Sequence, residues 1–154
     1  LAILIVSPNG EVRVKEDKAM ADEIQRVQYF YIQVPDKPGE GAKVLGALKE
    51  AGINLLAFVA FPNGRRAQLD FVPVDQAAFK EAAKKAKIKL VGPKTGFLVQ
   101  GEDRPGAVAE IVSRLSDAKI NLTALQGIAA GAGRYGAILW VKPRDVNKAA
   151  KVLL

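Results

Sequence analysis

Neither cysteine nor histidine occurs among the 154 residues. That double absence excludes thiolate and imidazole nucleophiles, Cys/His zinc sites, iron–sulfur clusters, His- or Cys-ligated haem and a Ser-His-Asp triad together. Any catalysis would fall to carboxylates, lysines, tyrosines or hydroxyls, and no acid/base pair stands at a spacing that supports it. The expectation is a protein that is not an enzyme, with no cofactor and no metal. Without cysteine there is no disulfide framework, which fits a reducing, cytoplasmic compartment. Long apolar runs are also missing. Leu1–Val6 and the stretch 53–61 fall far short of the roughly 20 residues that cross a bilayer, so no membrane partner is expected.

What is present is ordinary globular composition, 49% hydrophobic and 25% charged, with 14 glycines and 8 prolines. The 23 basic against 16 acidic residues give +7, so anionic partners have to be weighed. Lys80, Lys84 and Lys87 recur at helical spacing between alanines, as on the solvated face of an amphipathic helix. Leu1–Val6, Ser7-Pro-Asn-Gly10 and the alternating Glu11–Val14 read as a hairpin. Residues 1–26 read as an N-terminal extension, of which the part before Met20, the only methionine, looks like an addition.

The organising feature is an internal repeat. At an offset of 67, Phe30–Ala57 matches Phe97–Ala124 without a gap, with 12 of 28 positions identical, where average composition gives about two. Each copy reads as a strand (Tyr29–Val34; from Phe97), an Asp-x-Pro-Gly turn, a helix with one apolar face, and two strands joined by a hairpin (Leu55–Phe61 and Ala67–Val72; Leu122–Ile128 and Ala137–Val141). In copy one the hairpin carries Pro62-Asn63-Gly64. A helix from Asp75 to about Lys87 and a strand Ile88–Val91 complete copy one before a Gly92-Pro93 linker. Copy two ends on the equivalent helix, Asp145–Leu154. The fold class is therefore α+β, two tandem ferredoxin-like βαββαβ modules, residues 27–92 and 93–154, the second lacking its last strand. That absence should leave the strand Phe97–Gln100 with an open edge, covered by Ala2–Val6, by another subunit, or by residues beyond the chain.

Gly131-Ala-Gly-Arg-Tyr-Gly136 satisfies G-x-G-x-x-G but lies between two strands, so it reads as a hairpin loop and not a dinucleotide site. The paired turns Asp36-Lys-Pro-Gly39 and Asp103-Arg-Pro-Gly106 are more informative. A helix N-terminus offers free N–H groups to a carboxylate, Gly39 or Gly106 lets a ligand near the backbone, and Asp36 or Asp103 can meet an ammonium. The bland alternative is that each aspartate caps its helix. Asn54 and Asn121 after the first helices either satisfy a turn or fix a ligand by their amides. Trp140, Phe71, Tyr135 and Tyr29–Tyr31 read as core and sheet aromatics.

In this order, strand, Asp-x-Pro-Gly, helix, Ala-x-Ile-Asn-Leu, each copy resembles an ACT domain, a ferredoxin-like regulatory module. The resemblance implies a non-enzymatic sensor that binds a small effector, most often an amino acid, between the loop of one module and its neighbour. Carried over, the ligand-binding positions are Asp36, Pro38, Gly39 and Asn54 in copy one and Asp103, Pro105, Gly106 and Asn121 in copy two. It also implies a homodimer and a regulated enzyme as partners. The alternatives are a nucleic-acid-binding protein on the same βαββαβ scaffold and a ligand-free docking subunit. Nucleic acid is disfavoured by the third strands, Arg65–Val72 and Arg134–Val141, which do not fit the RNP1 pattern.

Overall fold

A computed structural model describes the backbone of residues 3–6 and 12–15 and the whole of residues 22–154. Strands β1 (Ile3–Val6) and β2 (Val12–Lys15) pair antiparallel, as their alternation implied. The connection between them and the stretch that contains Met20 lie outside the described residues.

The remaining elements follow the repeat. The first half runs β3 (Glu23–Pro35), α1 (Glu40–Glu50), β4 (Leu55–Asn63), β5 (Arg66–Pro73) and α2 (Gln76–Lys85). The second runs β6 (Val91–Glu102), α3 (Ala107–Asp117), β7 (Leu122–Gly131), β8 (Arg134–Val141), a 3-10 turn Pro143–Asp145 and α4 (Val146–Leu153). Six strands form one antiparallel sheet in the order β4-β5-β3-β6-β8-β7. The architecture is α+β.

Alternation along the strands sends every helix to one face. Phe30 and Ile32 of β3 pack with Leu48, Leu69, Phe71 and Phe79 under α1 and α2. Ile24, on the same side of β3, joins Phe97, Val99, Leu139, Ile111 and Leu115 under α3 and α4. Ile111 and Leu115 are the i, i+4 stripe anticipated for α3. Asp75 starts α2 by accepting a hydrogen bond from the Ala78 N–H at 3.0 Å. Phe71, fully buried and within 5.6 Å of the Phe79 ring, anchors the first core. Truncating it to alanine should cost about 3–5 kcal/mol.

The helix-free face is not open to solvent. Val27, Val72, Leu98, Ile138 and Trp140 are buried there, with Tyr29, Ala57 and Val59 against them. Residues of β4 and β7, opposite edges of the sheet, line the same cavity with Trp140 and Asp70, so the sheet folds over on its helix-free side. The two halves thus share an apolar interior of their own.

Three expectations change. The edge of the Phe97–Gln100 strand is not open: Glu23–Tyr29, the first half of β3, pairs with Lys94–Gln100. None of the three coverings proposed from sequence is used; the chain supplies the missing strand from residues assigned partly to the extension. Gly92-Pro93 is not a linker but lies inside β6, where the register shifts between Tyr29 and Tyr31 because proline cannot donate to the ladder. Ile88 and Leu90 are consequently core-packing residues ahead of the strand. In the first hairpin the two turn residues are Gly64 and Arg65, with Asn63 paired to Arg66.

Candidate functional site

Both Asp-x-Pro-Gly turns end in a glycine with positive φ, 91° at Gly39 and 86° at Gly106, and each glycine is the N-cap of the helix that follows. No side chain caps either helix. The bland reading of Asp36 and Asp103 as caps is thereby replaced: the left-handed residue turns the chain so that the aspartate stands before the helix. Pro38 and Pro105 likewise precede α1 and α3 and do not enter their first turn. The early N–H groups of α3 are left without side-chain acceptors.

A cleft of 530 Å³ opens at that end of α3, lined by Asp103, Arg104, Gly106, Val108, Ile128 and Tyr135 among others. Gly127 of β7 helps make the space, since a Cβ there would meet Val108 at 3.4 Å. The Asp103 N–H donates to the Gly133 carbonyl at 2.8 Å, which ties the loop to the glycine hairpin between β7 and β8.

Behind the cleft is a charged network. Arg104 donates through both terminal nitrogens to the Asp22 carboxylate, at 3.1 and 3.2 Å, and also pairs with Glu110 on α3. Burial pushes the Asp22 carboxyl up, but the Arg104 hydrogen bonds, the neighbouring Tyr135 hydroxyl and the positive charge of Arg104 and Arg114 outweigh it and hold its pKa below the ordinary value. Arg104 is raised in turn, chiefly by Asp22. Burial, followed by the neighbouring Asp22 carboxylate, pushes the Tyr135 hydroxyl up to about 12. Tyr135 is 5% exposed, and its hydroxyl lies beside Asp22 without a hydrogen bond of good geometry. A buried neutral donor without a good acceptor, next to a guanidinium and a helix N-terminus, suits an incoming anionic oxygen.

Asp103, Pro105 and Gly106 are therefore together at one end of α3. Asn121 is not with them; it lines a separate cleft of 410 Å³ with Ser116 and Lys119 at the other end of the helix, about 16 Å away along its 11 residues. Asn54 has local work: its Oδ1 accepts the Leu55 N–H at 2.9 Å and its carbonyl the Val74 N–H at 3.1 Å. Asp36, Pro38 and Gly39 form the equivalent turn before α1. Sequence reasoning missed Asp22, Arg104, Glu110 and Tyr135. Phe71 lies opposite Phe30 as Leu139 lies opposite Phe97, which aligns the third strands and sets Tyr135 against Ala67; Arg104 corresponds to Lys37. Copy one thus lacks the tyrosine and the guanidinium.

No protein-family model matches the sequence, and no curated protein matches it. Among solved structures, a protein from Bacteroides thetaiotaomicron superposes with TM-score 0.73 at 18% identity, over 84% of this chain and 88% of that one. The regulatory subunit of aspartate kinase from Thermus thermophilus gives 0.57 at 21%, over 85% and 93%. Its counterpart from Thermus flavus gives 0.56 at 23%, over 84% and 90%. The fold is the ACT fold. Within the ACT fold the Asp-x-Pro-Gly turns occupy the junction between first strand and first helix in both halves. Among the described residues no cluster of acidic side chains could hold a metal ion, and no helix is long and apolar enough to cross a membrane.

Proposed function

We propose that the chain is a non-catalytic regulatory protein, two ACT modules in tandem, that binds an amino acid in the cleft at the start of α3. The observation that carries this reading is the buried Tyr135 hydroxyl, without a good acceptor, beside Arg104 and the uncapped N-terminus of α3. The effector's carboxylate would lie on the α3 N–H groups near Gly106, its ammonium at Asp103, and its side chain against Val108 and Ile128. Pro105 holds the loop's shape. The turn Asp36-Lys-Pro-Gly39 belongs to the same motif, but copy one has Ala67 and Lys37 where copy two has Tyr135 and Arg104, and the two asparagines stand away from those side chains, so copy two is the principal site.

The nucleic-acid alternative loses ground. RNA-recognition modules stack bases on the exposed face of their sheet, and here that face is buried between the two halves. A second copy of the chain would pair along an edge strand, β4 or β7, where Phe58, Phe61 and Ile128 are exposed, and not along β6, which is flanked on both sides. A regulated enzyme in the cytoplasm is the partner this reading implies.

A thermal-shift screen against the twenty amino acids tests it, because a ligand at 100 times its dissociation constant adds about 2.7 kcal/mol to stability. One amino acid, or a chemically related few, should raise the melting temperature, and Tyr135→Phe should weaken that ligand by about tenfold. Tyr135→Phe is a cleaner probe than Gly106→Val, which would strain a residue at φ 86°. No shift with any amino acid overturns the proposal.

A further inference from the structure

We infer that a second cleft, at the junction of the two halves and away from the α3 loop, is a binding site for a small organic anion with a planar apolar group. The cleft measures 560 Å³ and is lined by Arg26 and Tyr29 of β3, Pro93, Lys94 and Thr95 of β6, and Trp140 of β8, continuing to Lys142 and the start of α4. Three cations, Arg26, Lys94 and Lys142, face one concave space whose lining contains no carboxylate. The acid next in sequence, Asp145, is paired with Arg144 at 3.9 Å and does not line the cleft. Lys94 lies 4.7 Å from the Tyr31 ring centre and feels Asp70, which belongs to the adjoining cavity. Concave walls concentrate the field of like charges and favour an anion there.

Two observations separate this cleft from an ordinary basic surface. Trp140 is 7% exposed, and its indole N–H has no partner among the protein groups. Buried indole N–H groups ordinarily find an acceptor. The ring stands edge-on to Tyr29 at 5.8 Å between centroids, so the same wall offers an apolar aromatic surface.

The second observation comes from the repeat. In the other half Arg26, Lys94 and Lys142 correspond to Pro93, Val27 and Val74, and Trp140 corresponds to Val72. The fold is built without charge or indole at these positions in one half, so their convergence in the other is not a requirement of the architecture. Arg26 also donates to the Asn147 Oδ1 at 3.4 Å, which brings the guanidinium toward the first turn of α4. That helix has no side-chain cap, and its N-terminus adds positive potential. A carboxylate or phosphate fits the cations and the helix end; a ring fits Tyr29, Trp140, Pro93 and Pro143.

Trp140 is the only tryptophan, so its emission reports on this cleft and on the adjoining cavity that shares the ring, and substitution of Lys94 and Lys142, which line only the cleft, tells the two apart. The test titrates the full chain with phenyl phosphate at constant ionic strength, with benzylamine as the cationic control. The same titration is run on Lys94→Gln/Lys142→Gln, whose two lysines are exposed and carry no core packing, and on Tyr135→Phe. Expected are a saturable change with phenyl phosphate, none with benzylamine, a dissociation constant raised about tenfold or more in the double variant, and an unchanged constant in Tyr135→Phe. A change that never saturates, an equal response to benzylamine, or an unchanged constant in a double variant with an intact circular-dichroism spectrum overturns the inference. Loss of binding in Tyr135→Phe would assign the anion to the α3 loop and overturn it equally.

Discussion

Gln28 and Thr95 are separated by 67 residues, the offset of the repeat, and stand directly opposite each other in the β3–β6 ladder, where the Gln28 Nε2 donates to the Thr95 Oγ1 at 3.5 Å. Equivalent residues meet only on an axis of symmetry, so an approximate two-fold passes between them. On one side of it β3 completes the second half; on the other, β6 completes the first. The whole chain should therefore melt in a single transition in calorimetry, with equal calorimetric and van't Hoff enthalpies. A fragment starting at Lys94 lacks its flanking strand and should show no cooperative transition alone; two resolved transitions, or an independently folding fragment, would contradict the shared-strand architecture.

Lys119 follows α3 with φ 57°, in the place held after α1 by Gly52 with φ 70°. The bonds around the two are matched: Ile53 N–H to the Leu48 carbonyl and Ile120 N–H to the Leu115 carbonyl, both at 2.9 Å. A side chain in this region costs about 1–2 kcal/mol, and glycine returns part of that as entropy of the unfolded chain. Lys119→Gly should stabilise by about 0.5–1 kcal/mol, read as a rise in denaturation midpoint; a fall would mean that the lysine side chain contributes a contact of its own.

Asp70 is 6% exposed, and burial pushes its carboxyl above the ordinary value against the opposing effects of a 2.8 Å hydrogen bond from Gln68 and the charge of Lys94. A carboxyl raised on folding binds its proton more tightly in the native state, so its ionisation destabilises the fold as pH climbs. Asp70→Asn keeps an acceptor for Gln68 and removes the charge. It should raise stability at pH 7 by on the order of 1 kcal/mol, roughly 2–4 °C in Tm, with the gain vanishing below the ordinary carboxyl value of 3.8. A gain that persists at pH 3 would show that charge is not the cause.

Asp22 has the opposite sign. Its carboxyl is held below 3.8, so the stability it confers is complete above that pH and disappears as pH falls through the lowered native value. Asp22→Asn should cost about 1 kcal/mol at pH 7, less than a fully buried charge-assisted hydrogen bond and near the top of the range for exposed ion pairs, because the Arg104 side chain is 32% exposed. Melting curves of parent and variant should converge in strong acid. Gly101→Ala should mimic the loss, since its Cβ would clash with the Asp22 carboxylate and lie 2.8 Å from Tyr135.

The elements were legible in the sequence because their signals are local: periodicity for α1 and α3, the Asn63-Gly64 hairpin signal between β4 and β5, Asp75 before α2. The paired turns were legible because duplication printed them twice. What escaped is non-local. Glu23–Arg26 is polar enough to read as part of an extension, and only the strand it joins reveals it as part of the sheet. Asp22 and Arg104 are 82 residues apart, and nothing in either stretch announces the other. Tyr135 reads as a core aromatic and is one; that it also lines a cleft depends on Gly127 and α3. Asn54 and Asn121 repeat as faithfully as the aspartates, yet they stand at the far ends of their helices, so repetition marks the fold there and the copy-two differences mark the candidate site.

The crossing of β3 and β6 is the contact that two identical halves would make as a symmetric pair. Carried on one chain, that encounter is set by the tether at an effective concentration of millimolar order and does not weaken on dilution. It also frees the partners from likeness. A symmetric pair must change both members at once, whereas here Ala67 answers Tyr135 and Val74 answers Lys142, each half altered without its twin.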